Sequence, residues 1–212
     1  MQLDKELEKL NILLLKMADT VQDNILHSFE AYKQGSNEGI NINDDIVDTY
    51  ERLIEETCLD ILIRERLYAK DLRKVTGILK MIVDLERIGD HAIDILEFNQ
   101  KLQDYERLKV DQIEEILNTA LSMVNDSIAS FVREDLSLAH EVIERDTIVD
   151  NGYESLVKYL IENDDKSIIS SAFAIYTTLV IKYIERIADH AVNIAEWVVY
   201  ISSGVHKDRR IF

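Results

Sequence analysis

Apolar residues recur along this chain at three- and four-residue steps with polar residues between them. The first run, Leu3, Leu7, Leu10, Leu14, Met17, Val21 and Ile25, draws one stripe down a helix predicted over Leu3 to Lys33. Gly35, Ser36 and Gly39 end it. A second run, Ile46, Tyr50, Ile54, Thr57 and Ile61, predicts a helix from Asn41 to Arg66. The basic segment RERLYAKDLRK, Arg64 to Lys74, reads as the turn into a third helix that runs to Lys101. That helix is apolar nearly all round, through Ile78, Leu79, Ile82, Val83, Leu85, Ile88, Ala92, Ile93, Ile95 and Leu96, which places it at the centre of the fold.

The second half repeats the plan. Helices are predicted over Val110 to Phe131, with Ile113, Leu117, Leu121, Val124 and Ile128 inward, then Asp135 to Glu162, then Lys166 to Ser202. Asp135 and Asp165 suit N-caps and Gly204 a C-cap. Valine and isoleucine fall at helical steps, and no Asn-Gly or Pro-Gly hairpin signal interrupts them, so no strand is predicted. The complete absence of proline agrees with long uninterrupted helices. The expected fold class is all-α: two tandem antiparallel three-helix bundles related by internal duplication, residues 1–104 and 105–212.

The duplication is plainest in DLERIGDHAIDILE, Asp84 to Glu97, and YIERIADHAVNIAE, Tyr183 to Glu196, which align Glu86, Asp90 and Glu97 with Glu185, Asp189 and Glu196 without a gap. Glu86, Asp90 and Asp94 are successive i, i+4 neighbours among apolar residues such as Leu79, Val83 and Ile93. An ionised carboxylate withdrawn from water is costly unless it is paired or holds a cation, and like charges one turn apart repel. On the preceding helix Asp44, Asp48, Glu51 and Glu55 share one flank, and Asp44 and Asp48 are echoed by Asp146 and Asp150. Each half thus offers a D-x-x-x-D and an E-x-x-x-D on neighbouring helices. Four converging carboxylates make an all-oxygen site suited to Mg, Mn, Fe or Zn. The competing reading is a set of solvated helix faces, natural in a chain with 41 acidic residues. It weighs most for Glu51, Glu55, Glu97 and Glu196.

Arg87 and Arg186 are placed to pair with neighbouring acids rather than to bind an anion. His91 and His190 lie about 100° around the helix from Asp90 and Asp189, so they read as packed, hydrogen-bonded residues and not as ligands. Gly89 and Ala188 are small enough to let a helix or a ligand come close.

A formal charge of −17 and a pI near 4.6 argue against nucleic acid as a partner and favour divalent cations or basic protein surfaces. Cys58 is the only cysteine, which excludes an intrachain disulfide and a thiolate-rich metal site and fits a reducing compartment. The opening MQLDKELEKL lacks the basic start and apolar core of a signal peptide, and the apolar stretch Ala172 to Ile184 is shorter than the roughly 20 residues of a span. The expectation is a cytoplasmic protein without direct membrane insertion, reaching a membrane only through a partner. No Gly-rich phosphate loop, G-x-S-x-G or H-E-x-x-H occurs, and His91, five residues after Glu86, misses the Glu-x-x-His spacing of di-iron bundles.

The two signature stretches, with the opening LDKELEKL, the segment DLRKVTGILKMIVDLERIGD and the ending WVVYISSG, resemble the PhoU family of phosphate-uptake regulators over the whole chain. The resemblance implies two three-helix bundles, each with a surface metal cluster, and carries over as Asp44, Asp48, Glu86 and Asp90 in the first site and Asp146, Asp150, Glu185 and Asp189 in the second. Asp94 and Asn193, on the next turn of each signature, are further candidates. Two departures stand out: the family's usual proline before its DLR element is missing, and Asp94 replaces a more usual asparagine. The resemblance also implies a negative regulator of the phosphate-starvation response, acting on a phosphate ABC transporter and a sensor histidine kinase, with homodimerisation open. Two other readings stay open from the residues alone: a carboxylate-bound multinuclear metal enzyme, and an accessory subunit of a different phosphate or ion transporter.

Overall fold

The computed structural model describes residues 2–105, 110–207 and 209–210, and among these the chain forms α1 (Gln2–Gln34), α2 (Asp44–Arg64), α3 (Ala69–Leu102), α4 (Asp111–Arg133), α5 (Leu136–Asp165) and α6 (Ser171–Ser203). Helices α1–α3 and α4–α6 make two similar units, and α3 against α6 is the most extensive helix–helix contact. One hydrophobic core runs through both units. The expected α1 stripe is inward: Leu10, Leu14, Met17, Val21 and Ile25 are fully buried, with Leu3 and Leu7 packed on the same core.

Helix α2 keeps the expected face at Ile54, Thr57 and Ile61, which are buried, and at Tyr50, which packs on the core, but departs from it at Ile46. Ile46 is 44 % exposed, and Val47 and Cys58 are buried instead. Ile46 and Val47 are adjacent apolar residues, so either fits a helical stripe, and the approach of α3 decides between them: Gly89 faces Val47, where a Cβ would sit 3.6 Å from its side chain. A helix does pack over Gly89, as expected, but at an ordinary contact distance that would also admit an alanine. Helix α3 starts at Ala69, so residues 65–68 of the basic segment make the turn and 69–74 are already helix, and Val83, expected on its apolar surface, is exposed.

Asp135 caps α5, its Oδ1 accepting from Leu138 N at 3.1 Å, and Gly204 ends α6 in the left-handed region at φ 77. Asp165 does not cap α6. It closes α5, and Ser170 takes the cap by accepting from Phe173 N at 3.2 Å. The absence of strands also needs correction: β1 (Val205–His206) and β2 (Arg209–Arg210) pair antiparallel after α6. Two-residue strands are too short to leave a periodic signal. His206 is held by stacking on Trp197, ring centroids 3.8 Å apart.

Candidate metal centre

The start of α2, which carries Asp44 and Asp48, is pinned by buried amides. Asn24 of α1 accepts from Asn43 N at 3.0 Å through its Oδ1, and Asn99 of α3 holds the connection into α2, donating to Asn37 Oδ1 at 2.6 Å and to Ala31 O at 3.0 Å. In the second half Arg145 fixes α5 on α4, donating to Asp126 at 2.6 Å and to Ser122 at 3.1 Å, which sets the neighbouring Asp146. Neither device was visible as a site signal, because amides and a lone arginine on helices are common.

Among the described residues, Asp146, Asp150 and Asp189 each offer a carboxylate oxygen within 4.8 Å of the others. Asp146 Oδ1 is buried without a hydrogen-bond partner. Burial, and then the charges of Asp150, Asp189, Glu185 and Glu196, push its carboxyl up to about 6. Burial and the adjacent Glu185 also raise Asp189. Lys182 and Arg186 offset part of the charge on Asp189, but the net shift of both carboxyls is still upward, and a bound cation would relieve the remaining repulsion. Glu185 faces the same cluster, but both its oxygens accept from Lys182 Nζ at 2.7 Å, and that ammonium sits over the Tyr153 ring at 5.1 Å.

The first half brings Asp44, Asp48, Glu86 and Asp90 into one field without so close a group. Burial, then Asp48 and Asp90, raise Asp44; burial, then Asp90, raise Glu86. Arg87 lies against this pair, 3.6 Å from Glu86 and 3.8 Å from Asp90, which matches the structural role expected for it. Glu51, expected to be solvated, is half-buried and raised by burial and by Asp48, so it belongs to the cluster. Glu196 is likewise half-buried and meets Lys207 of the terminal hairpin at 3.2 Å. Glu55 and Glu97 are exposed.

Asp94 and Asn193 are occupied elsewhere. His91 Nδ1 meets Asp94 at 3.2 Å, while Asp84, buried on α3, takes His190 Nδ1 at 2.8 Å and Asn193 Nδ2 at 3.0 Å. The contacts across the seam are reciprocal: His190 meets Asp84, and His91 meets Tyr183, the residue that corresponds to Asp84 in the repeat, with ring centroids 5.3 Å apart. The two imidazoles pack on each other at 5.6 Å. The histidines of the signature therefore join the two halves and leave their neighbouring acids facing outward. Cys58 is buried and its thiol is pushed up to about 12, as suits an inert core residue.

Fold and site together define a class: a duplicated six-helix protein whose paired helices α2/α3 and α5/α6 each present carboxylates at i, i+4 spacing. The chain belongs to the PhoU family, the PhoU domain matching twice, over residues 14–98 and 113–198. It is 32 % identical to the phosphate-specific transport system accessory protein PhoU homolog of Clostridium acetobutylicum, over 97 % of this chain and 96 % of that one. The crystal structure of PhoU from Pseudomonas aeruginosa superposes with a TM-score of 0.82 at 30 % identity, covering 95 % of this chain and 99 % of that one. The phosphate transport system regulatory protein PhoU from Streptococcus pneumoniae gives 0.85 at 26 % identity, covering 98 % and 100 %. Among the described residues no helix is long and apolar enough to cross a membrane.

Proposed function

We propose that this protein is a non-catalytic accessory and regulatory protein of a phosphate transport system. It works at the cytoplasmic face of a phosphate ABC transporter and a sensor histidine kinase, and holds the phosphate-starvation response off when phosphate is plentiful. What carries the transport role is the family match in both halves, joined to relatives named for phosphate transport. Deleting the gene should raise phosphate-responsive expression in phosphate-rich medium and change phosphate uptake. Unchanged expression together with unchanged uptake would overturn the role.

Divalent or transition metal ions, of the Fe, Zn, Mn or Mg class, belong to the same proposal. Asp146, Asp150 and Asp189 fit such an ion best, because their oxygens already converge and Asp146 Oδ1 has no other partner. Glu185 would complete the set if Lys182 let go. In the first half Asp44, Asp48, Glu86 and Asp90 would serve once Arg87 swung into solvent. A bound cation would neutralise the clustered charge and fix α2 on α3 and α5 on α6, so that the outer face offered to a partner is rigid. Elemental analysis of untagged protein beside an Asp146→Ala, Asp189→Ala variant tests the second site. Equal metal in both would strike those residues from the ligand set.

A further inference from the structure

The basic segment at the α2–α3 corner has no part in either acidic cluster. Lys70 and Lys74, one turn apart on α3, line a cavity of about 270 Å³ with Phe131 and Glu134 at the end of α4 and Val198, Ile201 and Ser202 on α6. The packing that shapes it is specific. Gly77 has no side chain, and a Cβ there would overlap Ile201, so α6 closes on α3 just beyond the lysines. Arg73 Nε donates to Ile201 O at 3.2 Å and locks that approach. The floor is apolar, and Lys74 Nζ hangs 6.0 Å from the centre of the Phe131 ring.

Its electrostatics run against the rest of the molecule. Acidic residues outnumber basic ones 41 to 24, yet among the described residues neither Lys70 nor Lys74 has a carboxylate ion-pair partner. Tyr68, at the N-cap of α3, gives no side-chain cap, so the first-turn N–H groups of the helix keep their partial positive charge. The matching start of α6 is different on both counts. Ser170 caps it, and Ile169 and the buried Phe173 stand where Lys70 and Lys74 stand in the repeat. The duplicated frame does not need lysines here; one half has them.

We propose that this cavity binds a phosphate monoester carried on a small apolar body. Two ammonium groups balance a phosphate monoester's charge of about −1.5 to −2 at neutral pH, whereas a carboxylate would leave one uncompensated. Phe131, Val198 and Ile201 receive the apolar part and Ser202 offers a hydroxyl. Glu134, in the same wall, opposes the charge and limits affinity. The ester is either free in solution or the head of a lipid. Ile63 at the end of α2 (80 % exposed) and Tyr68 (75 %) precede the lysines in sequence and suit a lipid surface.

The test is titration of the full chain, with chelator present to empty the acidic clusters, followed by backbone amide shifts. Phenyl phosphate, inorganic phosphate, benzoate and phosphatidylcholine vesicles containing phosphatidic acid are the probes. Phenyl phosphate is expected to shift the amides of Lys70, Lys74 and Ser202, with inorganic phosphate and benzoate weaker by about tenfold or more. Lys70→Gln with Lys74→Gln should weaken binding about tenfold or more without lowering the melting temperature, and Glu134→Gln should tighten it several-fold. Lysine-dependent binding of the vesicles alone would assign the lipid source, and of phenyl phosphate the soluble one. The proposal falls if neither probe binds, if the lysine variant binds as well as the parent, or if inorganic phosphate binds as tightly as its phenyl ester.

Discussion

The two acidic clusters use corresponding residues at corresponding helix positions and differ in what stands beside them. Asp44, Asp48, Glu86 and Asp90 of the first half match Asp146, Asp150, Glu185 and Asp189 of the second. Glu51, however, is matched by Tyr153, and the exposed Val83 by Lys182. The first cluster therefore gains a fifth carboxylate and is balanced from the solvent edge by Arg87 at 3.6 and 3.8 Å. The second loses that carboxylate, and Lys182, held over Tyr153, takes Glu185 at 2.7 Å and leaves three aspartates converging on one point. Identical motifs give one diffuse cluster and one focused cluster because the neighbours, not the motif, set the counterion.

The largest expected effect separates the focused site from the diffuse one. Loss of a group that only orients a ligand costs about 10–100-fold in metal affinity, so on the proposed ligand set Asp146→Asn should cost about 100-fold at the second site, and Asp44→Asn should cost less at the first. Isothermal titration with Mn or Zn measures both, and equal losses would erase the distinction. The same variant reports on pH. The Asp146 carboxyl is raised from 3.8 to about 6 in the folded chain, so the folded state holds that proton more tightly than the unfolded one. Its stabilising contribution is full below 3.8 and fades as pH rises through about 6. Metal-free parent protein should thus gain stability on going from about pH 7 to about pH 5, relative to Asp146→Asn, while metal affinity falls as protons compete. Denaturant melts at the two pH values check this.

Next comes the seam. Asp84→Ala strands His190 and Asn193 and is expected to cost about 2 kcal/mol, whereas Tyr183→Phe at the corresponding position keeps its ring packing on His91 and should cost well under 1 kcal/mol. Equal losses in denaturant melts would mean that the two contacts are energetically alike despite their chemistry. A smaller effect is expected from Lys182→Gln, which frees Glu185 and should tighten the second site several-fold while Arg87→Gln does the same at the first. The smallest is Gly89→Ala, which gives the first repeat the residue of the second. A Cβ would meet Val47 at an ordinary 3.6 Å, so the helix propensity gain of about 0.5–1 kcal/mol should appear as a higher melting temperature.

Much of this protein was legible one residue at a time. Helical periodicity placed all six helices, since a 3.6-residue repeat of apolar side chains is a local property. The gapless alignment of the two signatures identified the duplication and the family, and one helical step of about 100° separated His91 and His190 from the acids beside them. What the sequence could not decide was which of two adjacent apolar residues faces in, as with Ile46 and Val47. Nor could it show that Glu51 and Glu196 are drawn into clusters, or that Ser170 rather than Asp165 caps α6. Each of these depends on what a distant element puts across the gap. The sharpest case is the pair of clusters itself: the motifs are written into the chain, but convergence of Asp146, Asp150 and Asp189, with Lys182 claiming Glu185, exists only once α5 lies on α6. Local pattern fixes helices and their composition, whereas charge balance at a site is a sum over neighbours that only the tertiary fold brings within a few ångströms.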